Sequence, residues 1–305
     1  MPTLKDLSKR EERFVSGHRL CPGCGAAIVV KLVLSAIEKP VVVGCATGCL
    51  EVASTIFPFS SWTSPFIHSA FENVAATMSG VEPAYRSLKK QGKMDKDIVF
   101  VAFGGDGGTY DIGLQSLSGA AERGHKIIYI CYNNQAYMNT GIQRSGATPK
   151  GASTSTSPAG KVIPGKVQFQ KDLTEIMVAH EVPYVATSII GRWNDLVSKV
   201  EKASKTDGFS FINVLSPCRL GWPHDPVLTL EITRVAADTC VWPVYEVVNG
   251  KYKITYKPKE KKPITEWLKM QGRFAHLLKP ENESLLKSIQ DEVDRKWEIL
   301  LKKSE

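Results

Sequence analysis

Two groups of residues in this chain have the types and spacing to do chemistry. The first is the run Gly104, Gly105, Asp106, Gly107 and Gly108, which directly follows the apolar segment IVFVAF (98–103). A glycine turn between a strand and a helix exposes backbone N–H groups and a positive helix end, a setting that suits a diphosphate. The run is not a G-x-G-x-x-G fingerprint, because Asp106 stands between the glycines, and it lacks the Lys-Ser/Thr of a P-loop. A carboxylate beside a phosphate anion repels it unless a cation sits between them. Asp106 therefore implies Mg²⁺ shared by protein and diphosphate oxygens. A second oxygen ligand is expected at the carboxyl end of the neighbouring strand, where KIIYICY (126–132) runs into Asn133 and Asn134.

The second group is sulfur. Seven cysteines are an odd number, and the amino terminus MPTLKDLSKREERF mixes acids and bases instead of following the order of a secretory signal. A cytoplasmic location is expected, which argues against a disulfide framework and for metal or redox use. Cys21 and Cys24 form CPGCG, and Cys45 and Cys49 lie in GCATGC. On spacing alone these are a fair zinc-ribbon candidate; a [4Fe–4S] cluster also takes four thiolates but carries electrons. Cys131, inside a strand, and Cys240 read as small buried apolar residues.

Positioning such groups requires an α/β framework. Helix is expected over 26–37, 70–90 and 112–123, with buried strands from Pro40 (VVVGC), over 98–103 and over 126–132. Residues 145–168, rich in Ser, Thr, Gly, Pro and Lys, form a long loop of the kind that is usually functional or disordered. Helix and strand then alternate through 172–180, 182–189, 194–203 and 209–215. Beyond Pro217 come short Pro- and Trp-containing segments and helices near 264–277 and 282–302. The last carries a single apolar stripe, Leu285, Leu286, Ile289, Val293, Trp297, Leu300 and Leu301. The division drawn is an α/β domain over 1–218 and a C-terminal extension over 219–305, packed on the domain or on partner subunits.

The 305 residues, 43% apolar and 23% charged, suffice for a continuous core. No apolar stretch approaches the roughly 20 residues of a spanning helix, so no membrane partner is expected. The net charge of +8 is largely local: six lysines and one acid lie within 251–262. That stretch reads as a lysine-fringed sheet edge, or else a docking face, and no nucleic-acid-binding signature accompanies it.

The spacing of GDG and the paired asparagines resembles the cofactor-binding half of thiamine diphosphate enzymes. That resemblance places Asp106, the Asn134 side chain and the Ala136 carbonyl on Mg²⁺. The whole chain to about Leu278 resembles the β subunit of the 2-oxoacid:ferredoxin oxidoreductases, most closely the pyruvate-oxidising type. CPGCG, ATGC, PFIHSAFEN, GGDGG-x-x-DIG, YMNTGIQRS-x-ATP, SPAGK and VPYVAT carry the likeness. It implies a thiamine-diphosphate-binding fold, with a mostly parallel sheet flanked by helices. It further implies cluster ligands at Cys21, Cys24, Cys49 and Cys218, with Cys45 a spare thiol.

Gly105, Gly107 and Gly108 would then meet the diphosphate. Ala26, Cys49 and Met138 would be cofactor contacts, and Asn139 the residue nearest the thiazolium and substrate. His68 reads as a hydrogen-bonded core histidine and Glu72 as a surface or capping carboxylate. The implied reaction is oxidative decarboxylation of a 2-oxoacid to acyl-CoA, with coenzyme A as co-substrate and ferredoxin as electron acceptor. The glutamate that activates the cofactor's aminopyrimidine has no counterpart here, because the family keeps it on an α subunit. With γ and δ subunits also implied, the chain is expected to be inactive alone. The same chemistry on a branched-chain 2-oxoacid, 2-oxoglutarate or oxalate, a non-oxidative thiamine enzyme, and a structural zinc subunit are the competing readings.

Overall fold

The computed structural model describes residues 2–305. Eight strands form one sheet: β1 (Val41–Ala46), β2 (Phe66–Ser69), β3 (Val99–Gly105), β4 (Ile127–Asn133), β5 (Tyr184–Ile189), β6 (Ser210–Leu215), β7 (Val244–Val248) and β8 (Lys251–Tyr256). The helices are α1 (Leu4–Leu7), α2 (Gly25–Ala36), α3 (Cys49–Ser54), α4 (Val74–Lys90), α5 (Leu114–Glu122), α6 (Leu173–Ala179), α7 (Trp193–Lys205), α8 (Thr229–Asp238), α9 (Thr265–Leu268) and α10 (Glu283–Lys303). The sheet order is β2-β1-β3-β4-β6-β5-β7-β8. The first six strands in that order run parallel, and β7 and β8 are antiparallel.

Parallel strands covered by helices on both faces must be apolar throughout, and β3 to β6 are buried along nearly their full length. One apolar layer contains residues of α2 and α7, and the other contains residues of α4, α5, α6, α8 and α10. From β1 the chain steps to β2 on one side, then returns to β3 on the other. The loops leaving β1 and β3 therefore diverge, which opens a crevice at their carboxyl ends. Ligands of open α/β sheets bind at such a switch point. In that crevice stand GCATGC and GGDGG.

Two expectations are corrected. The PFIHS stretch is a strand, β2, and His68 on it is exposed rather than core, with its Nε2 2.7 Å from Thr47 Oγ1. The helix expected over 264–277 breaks into α9 and a 3₁₀ turn (Gly272–Leu278). There the Gly272 N–H turns away to the carbonyls of Trp222 and Pro223, at 3.1 and 3.0 Å, so the α-helical ladder cannot continue. The helix over 112–123 is preceded by a π-helical turn, Gly107–Ile112.

The lysine-rich stretch begins with β8, the edge strand, where Lys251 and Lys253 discourage further pairing, and its other four lysines follow the strand. Residues 219–305 thus add two strands to the same sheet. Ile289, Val293, Trp297 and Leu300 of α10 are buried against the domain. Among the described residues no helix is long and apolar enough to cross a membrane.

Candidate functional site

At the end of β3 the backbone delivers Asp106, which is fully buried. Its Oδ1 accepts the N–H of Asn134 at 3.1 Å and its Oδ2 accepts the hydroxyl of Ser145 at 2.5 Å. Burial pushes its carboxyl up to about 7, opposed by those two hydrogen bonds. A carboxylate held in that state wants a cation.

Successive residues leaving β4 point to opposite faces. Asn133 turns into a buried network, its Nδ2 donating to Tyr110 Oη (3.0 Å) and Asn213 Oδ1 (3.3 Å). Asn134 turns to Asp106, where the end of its amide lies 2.9 Å from both Asp106 Oδ1 and the Ala136 carbonyl oxygen. With the amide nitrogen there, it donates to both. With the oxygen there, three oxygens converge, and that arrangement needs a cation among them. Spacings of 2.9 Å match an octahedral edge around Mg²⁺, about 3 Å for bonds of 2.0–2.1 Å. The donor set thus fits Mg²⁺ from Asp106, Asn134 and Ala136.

The carbonyl of Ala136 is presented by an unusual backbone. Gln135 has φ 65°, a left-handed conformation uncommon outside glycine. It is over-determined: its N–H donates to Asn133 Oδ1 (3.0 Å), and its carbonyl accepts from Thr148 Oγ1 (2.7 Å).

The loop 145–168 has no helix or strand but is tied from within. The buried Lys166 Nζ donates to the carbonyls of Thr148 (2.6 Å), Ser145 (3.3 Å) and Gly146 (3.4 Å). Burial lowers its pKa to about 8. Asp111, in the π-helical turn, accepts from the Gly146 N–H (2.7 Å) and from Lys171 Nζ (2.6 Å), fastening the glycine turn to the loop.

The crevice is lined by Thr47 to Cys49, Phe71, Gly105 to Gly108, Tyr132, Asn134 and Ala136 to Thr140. Gly105, Gly107, Gly108, Met138, Asn139 and Cys49 of the expected set are all on its wall. Glycine is required at two of these positions by close approach. A Cβ at Gly107 would overlap the Tyr137 ring, and one at Gly108 would lie 2.8 Å from the Phe71 carbonyl oxygen. Asn139 is exposed at the mouth. Ala26 is not on the wall: it is buried at the start of α2, where the N–H groups of Ala26 and Ala27 point at the Cys24 sulfur.

Cys49 opens α3 and joins the crevice to the thiols. Its pKa is pushed up to about 12 by burial, then by Cys218, Cys24 and Cys21 in turn. The fold brings Cys24 to Cys218 because the Gly25 N–H donates to the Pro217 carbonyl (3.2 Å) and Thr229 Oγ1 to that of Gly23 (2.8 Å). The Gly221 N–H donates to Cys218 Sγ at 3.4 Å. Backbone N–H groups aimed at sulfur are what a ligating thiolate needs. These thiols feel one another without forming a closed cage, for among the described residues no three His, Cys, Asp or Glu side chains stand at metal-ligand spacing. Cys21, Cys24, Cys49 and Cys218 lie near enough to act on one another electrostatically, and thiols with backbone donors beside them have the donor chemistry that a cluster takes. Cys45, Cys131 and Cys240 are buried and stand outside this group.

The sequence reading missed Ser145, Tyr132, Tyr137, Gln135, Trp222 and Arg273. Trp222 Nε1 donates to the Asn134 carbonyl at 2.7 Å, linking the Cys218 segment to the asparagine pair. The Tyr132 hydroxyl is buried without a partner, beside Gly48 and Gly105 on the crevice wall.

Residues 42–214 match the family described as "Thiamine pyrophosphate enzyme, C-terminal TPP binding domain". The chain is 53% identical over 304 residues to pyruvate synthase subunit PorB of Thermotoga maritima, covering 97% of this chain and 94% of that one. It is 53% identical over 293 residues to subunit PorB of Methanocaldococcus jannaschii (95% and 97% covered). Against ketoisovalerate oxidoreductase subunit VorB of Pyrococcus abyssi the identity is 42% over 312 residues (100% and 99%). Among solved structures, a chain of the 2-oxoglutarate:ferredoxin oxidoreductase of Magnetococcus marinus superposes with a TM-score of 0.56 at 21% identity. The match covers 67% of this chain and 66% of that one, a likeness of fold.

Proposed function

The chain belongs to the pyruvate synthase PorB family of 2-oxoacid:ferredoxin oxidoreductase subunits, with a thiamine-pyrophosphate-binding domain, and from that premise we propose that it carries three groups: thiamine diphosphate, Mg²⁺ and a [4Fe–4S] cluster. The reaction is oxidative decarboxylation of a 2-oxoacid, with coenzyme A as acyl acceptor and ferredoxin as electron acceptor. The observation that carries this reading is the convergence of Asp106, Asn134 and the Ala136 carbonyl at the mouth of the glycine turn.

When bound, the thiamine cofactor supplies carbanion chemistry at the 2-oxo carbon and the cluster supplies an electron acceptor. This chain's residues do the positioning. Asp106, Asn134 and Ala136 hold the metal, and the bare backbone of Gly105, Gly107 and Gly108 admits the diphosphate. Ser145 and the Gln135 kink fix the metal ligands, and Asn139 at the open mouth is the residue assigned to the substrate. Cys21, Cys24, Cys49 and Cys218 hold the cluster. Cys49 also lines the crevice, so a cluster held by these four thiols would adjoin the cofactor pocket and would serve there as electron acceptor.

The crevice is one wall of a site. The other wall, with the missing glutamate, belongs to an α subunit, and γ and δ subunits complete the path to ferredoxin. Phe57 and Val162, 93% and 92% exposed, lie on surface that such partners would cover. Two PorB relatives at 53% identity, against 42% for the ketoisovalerate subunit, favour pyruvate as substrate. A cytoplasmic location accords with reduced thiols. The test is anaerobic purification of the assembled complex, with iron and sulfide analysis, and viologen reduction measured on pyruvate, branched 2-oxoacids, 2-oxoglutarate and oxalate. Thiamine-dependent dye reduction fastest on pyruvate is the expected result. A colourless preparation containing zinc and no iron would overturn the cluster assignment.

A further inference from the structure

One buried charge has no role so far. Arg273, in the 3₁₀ turn, is 5% exposed. Its guanidinium carbon lies 3.9 Å from the Trp222 ring centroid and 4.8 Å from that of Phe274. Nη2 donates to Gln135 Oε1 at 2.6 Å and Nε to Gln271 Oε1 at 3.0 Å. Among the described residues it forms no ion pair. A guanidinium stays protonated in proteins, and a buried charge without a counter-charge is strongly unfavourable. Burial pushes its pKa down, and the groups acting in the opposite sense are Asp106 and then Cys218.

The contacts of Arg273 reach the same two places. Gln135 sits between Asn134 and Ala136. Trp222, beneath the guanidinium, donates its backbone N–H to the Cys218 carbonyl (2.9 Å) and its indole N–H to that of Asn134 (2.7 Å). The cation is therefore mounted on the bridge between the metal-ligand loop and a cluster-ligand loop.

We propose that Arg273 is the fixed counter-cation of the two cofactor sites, and that its charge raises the reduction potential of the cluster held in part by Cys218. The inference rests on the cofactor assignment above. One-electron reduction adds a negative charge to the cluster, so a permanent positive charge in a water-poor surrounding stabilises the reduced form more than the oxidised one. Arg273 touches neither substrate nor iron; it is a positioning residue that acts through charge.

The test is a potentiometric EPR titration of the anaerobic complex carrying wild-type chain, R273K, R273M or R273Q, with iron per chain measured in each. R273M should shift the reduction equilibrium at least tenfold toward the oxidised form, about 59 mV for a one-electron couple, while R273K stays within threefold of wild type. R273Q repeats the neutral case with a shorter side chain. Loss of loading in both neutral variants, with loading kept in R273K, would equally support a counter-ion role. A loaded neutral variant with the wild-type midpoint would overturn the proposal. So would R273K shifting as far as R273M, or loading lost in all three. Absence of iron from the wild-type complex would sink the cofactor assignment itself, and that result appears before any substitution is made.

Discussion

Replacing Ser145 with alanine removes one hydroxyl, and the structure says what that hydroxyl does. It donates to Asp106 Oδ2 at 2.5 Å, and it accepts the Ala147 N–H at 3.2 Å. A hydrogen bond to a charged group contributes about 1.5–3 kcal/mol. In the cofactor-free chain the loss is partly relieved, because a carboxyl already pushed up to about 7 can take a proton. Holding Mg²⁺ requires the charged form, so the loss falls on cofactor affinity. At 1.4 kcal/mol per decade, S145A should bind Mg²⁺ and thiamine diphosphate roughly 10- to 150-fold more weakly. Trp222, bonded to the Asn134 carbonyl, supplies a local fluorescence reporter for titrating the assembled apo-complex. An affinity within twofold of wild type, in a variant of unchanged melting temperature, would refute the role given to Ser145.

The cysteines divide sharply: C218A should lose most of its iron and its broad visible absorption, whereas C45A keeps both, as iron and sulfide analysis would read. G107A places a methyl on the Tyr137 ring. Overpacking of about 1–3 kcal/mol should lower its melting temperature, and calorimetric titration with thiamine diphosphate should give no heat. Lys166 sets a pH dependence. Because burial lowers its folded pKa from 10.5 to about 8, the unfolded chain holds a proton between those values that the folded chain has released, so its share of stability rises with pH across that window. Urea midpoints from pH 7 to 10 should therefore move in favour of wild type over K166M as pH rises, and a constant difference would contradict the burial of that charge.

How much of this was legible in the sequence follows from where each signal resides. The strands β3 and β4 are buried on both faces, so they read as unbroken apolar runs, and the residues at their carboxyl ends, Gly105 to Gly108 and Asn134, line the crevice to which the cofactor is assigned. Asp106, Asn134 and the glycines were accessible because their meaning lies in local order along the chain. Four-residue β2 carries a polar, exposed His68 and left no such run. The break at Gln271–Gly272 was hidden because it depends on carbonyls of Trp222 and Pro223, some fifty residues earlier. The same reason hides Ser145, 39 residues from Asp106, and Arg273, 138 residues from Gln135. These side chains acquire a role only when the fold brings their partners to them.

The central claim is that one polypeptide holds a magnesium-bound thiamine cofactor and an iron–sulfur cluster next to each other. An iron anomalous difference map of the anaerobic complex tests this directly. The account predicts one compact iron peak enclosed by Cys21, Cys24, Cys49 and Cys218, with pyrophosphate density against Asp106 and Asn134 in the adjoining crevice. Iron found only on other subunits, or a single zinc among those four sulfurs, would contradict it.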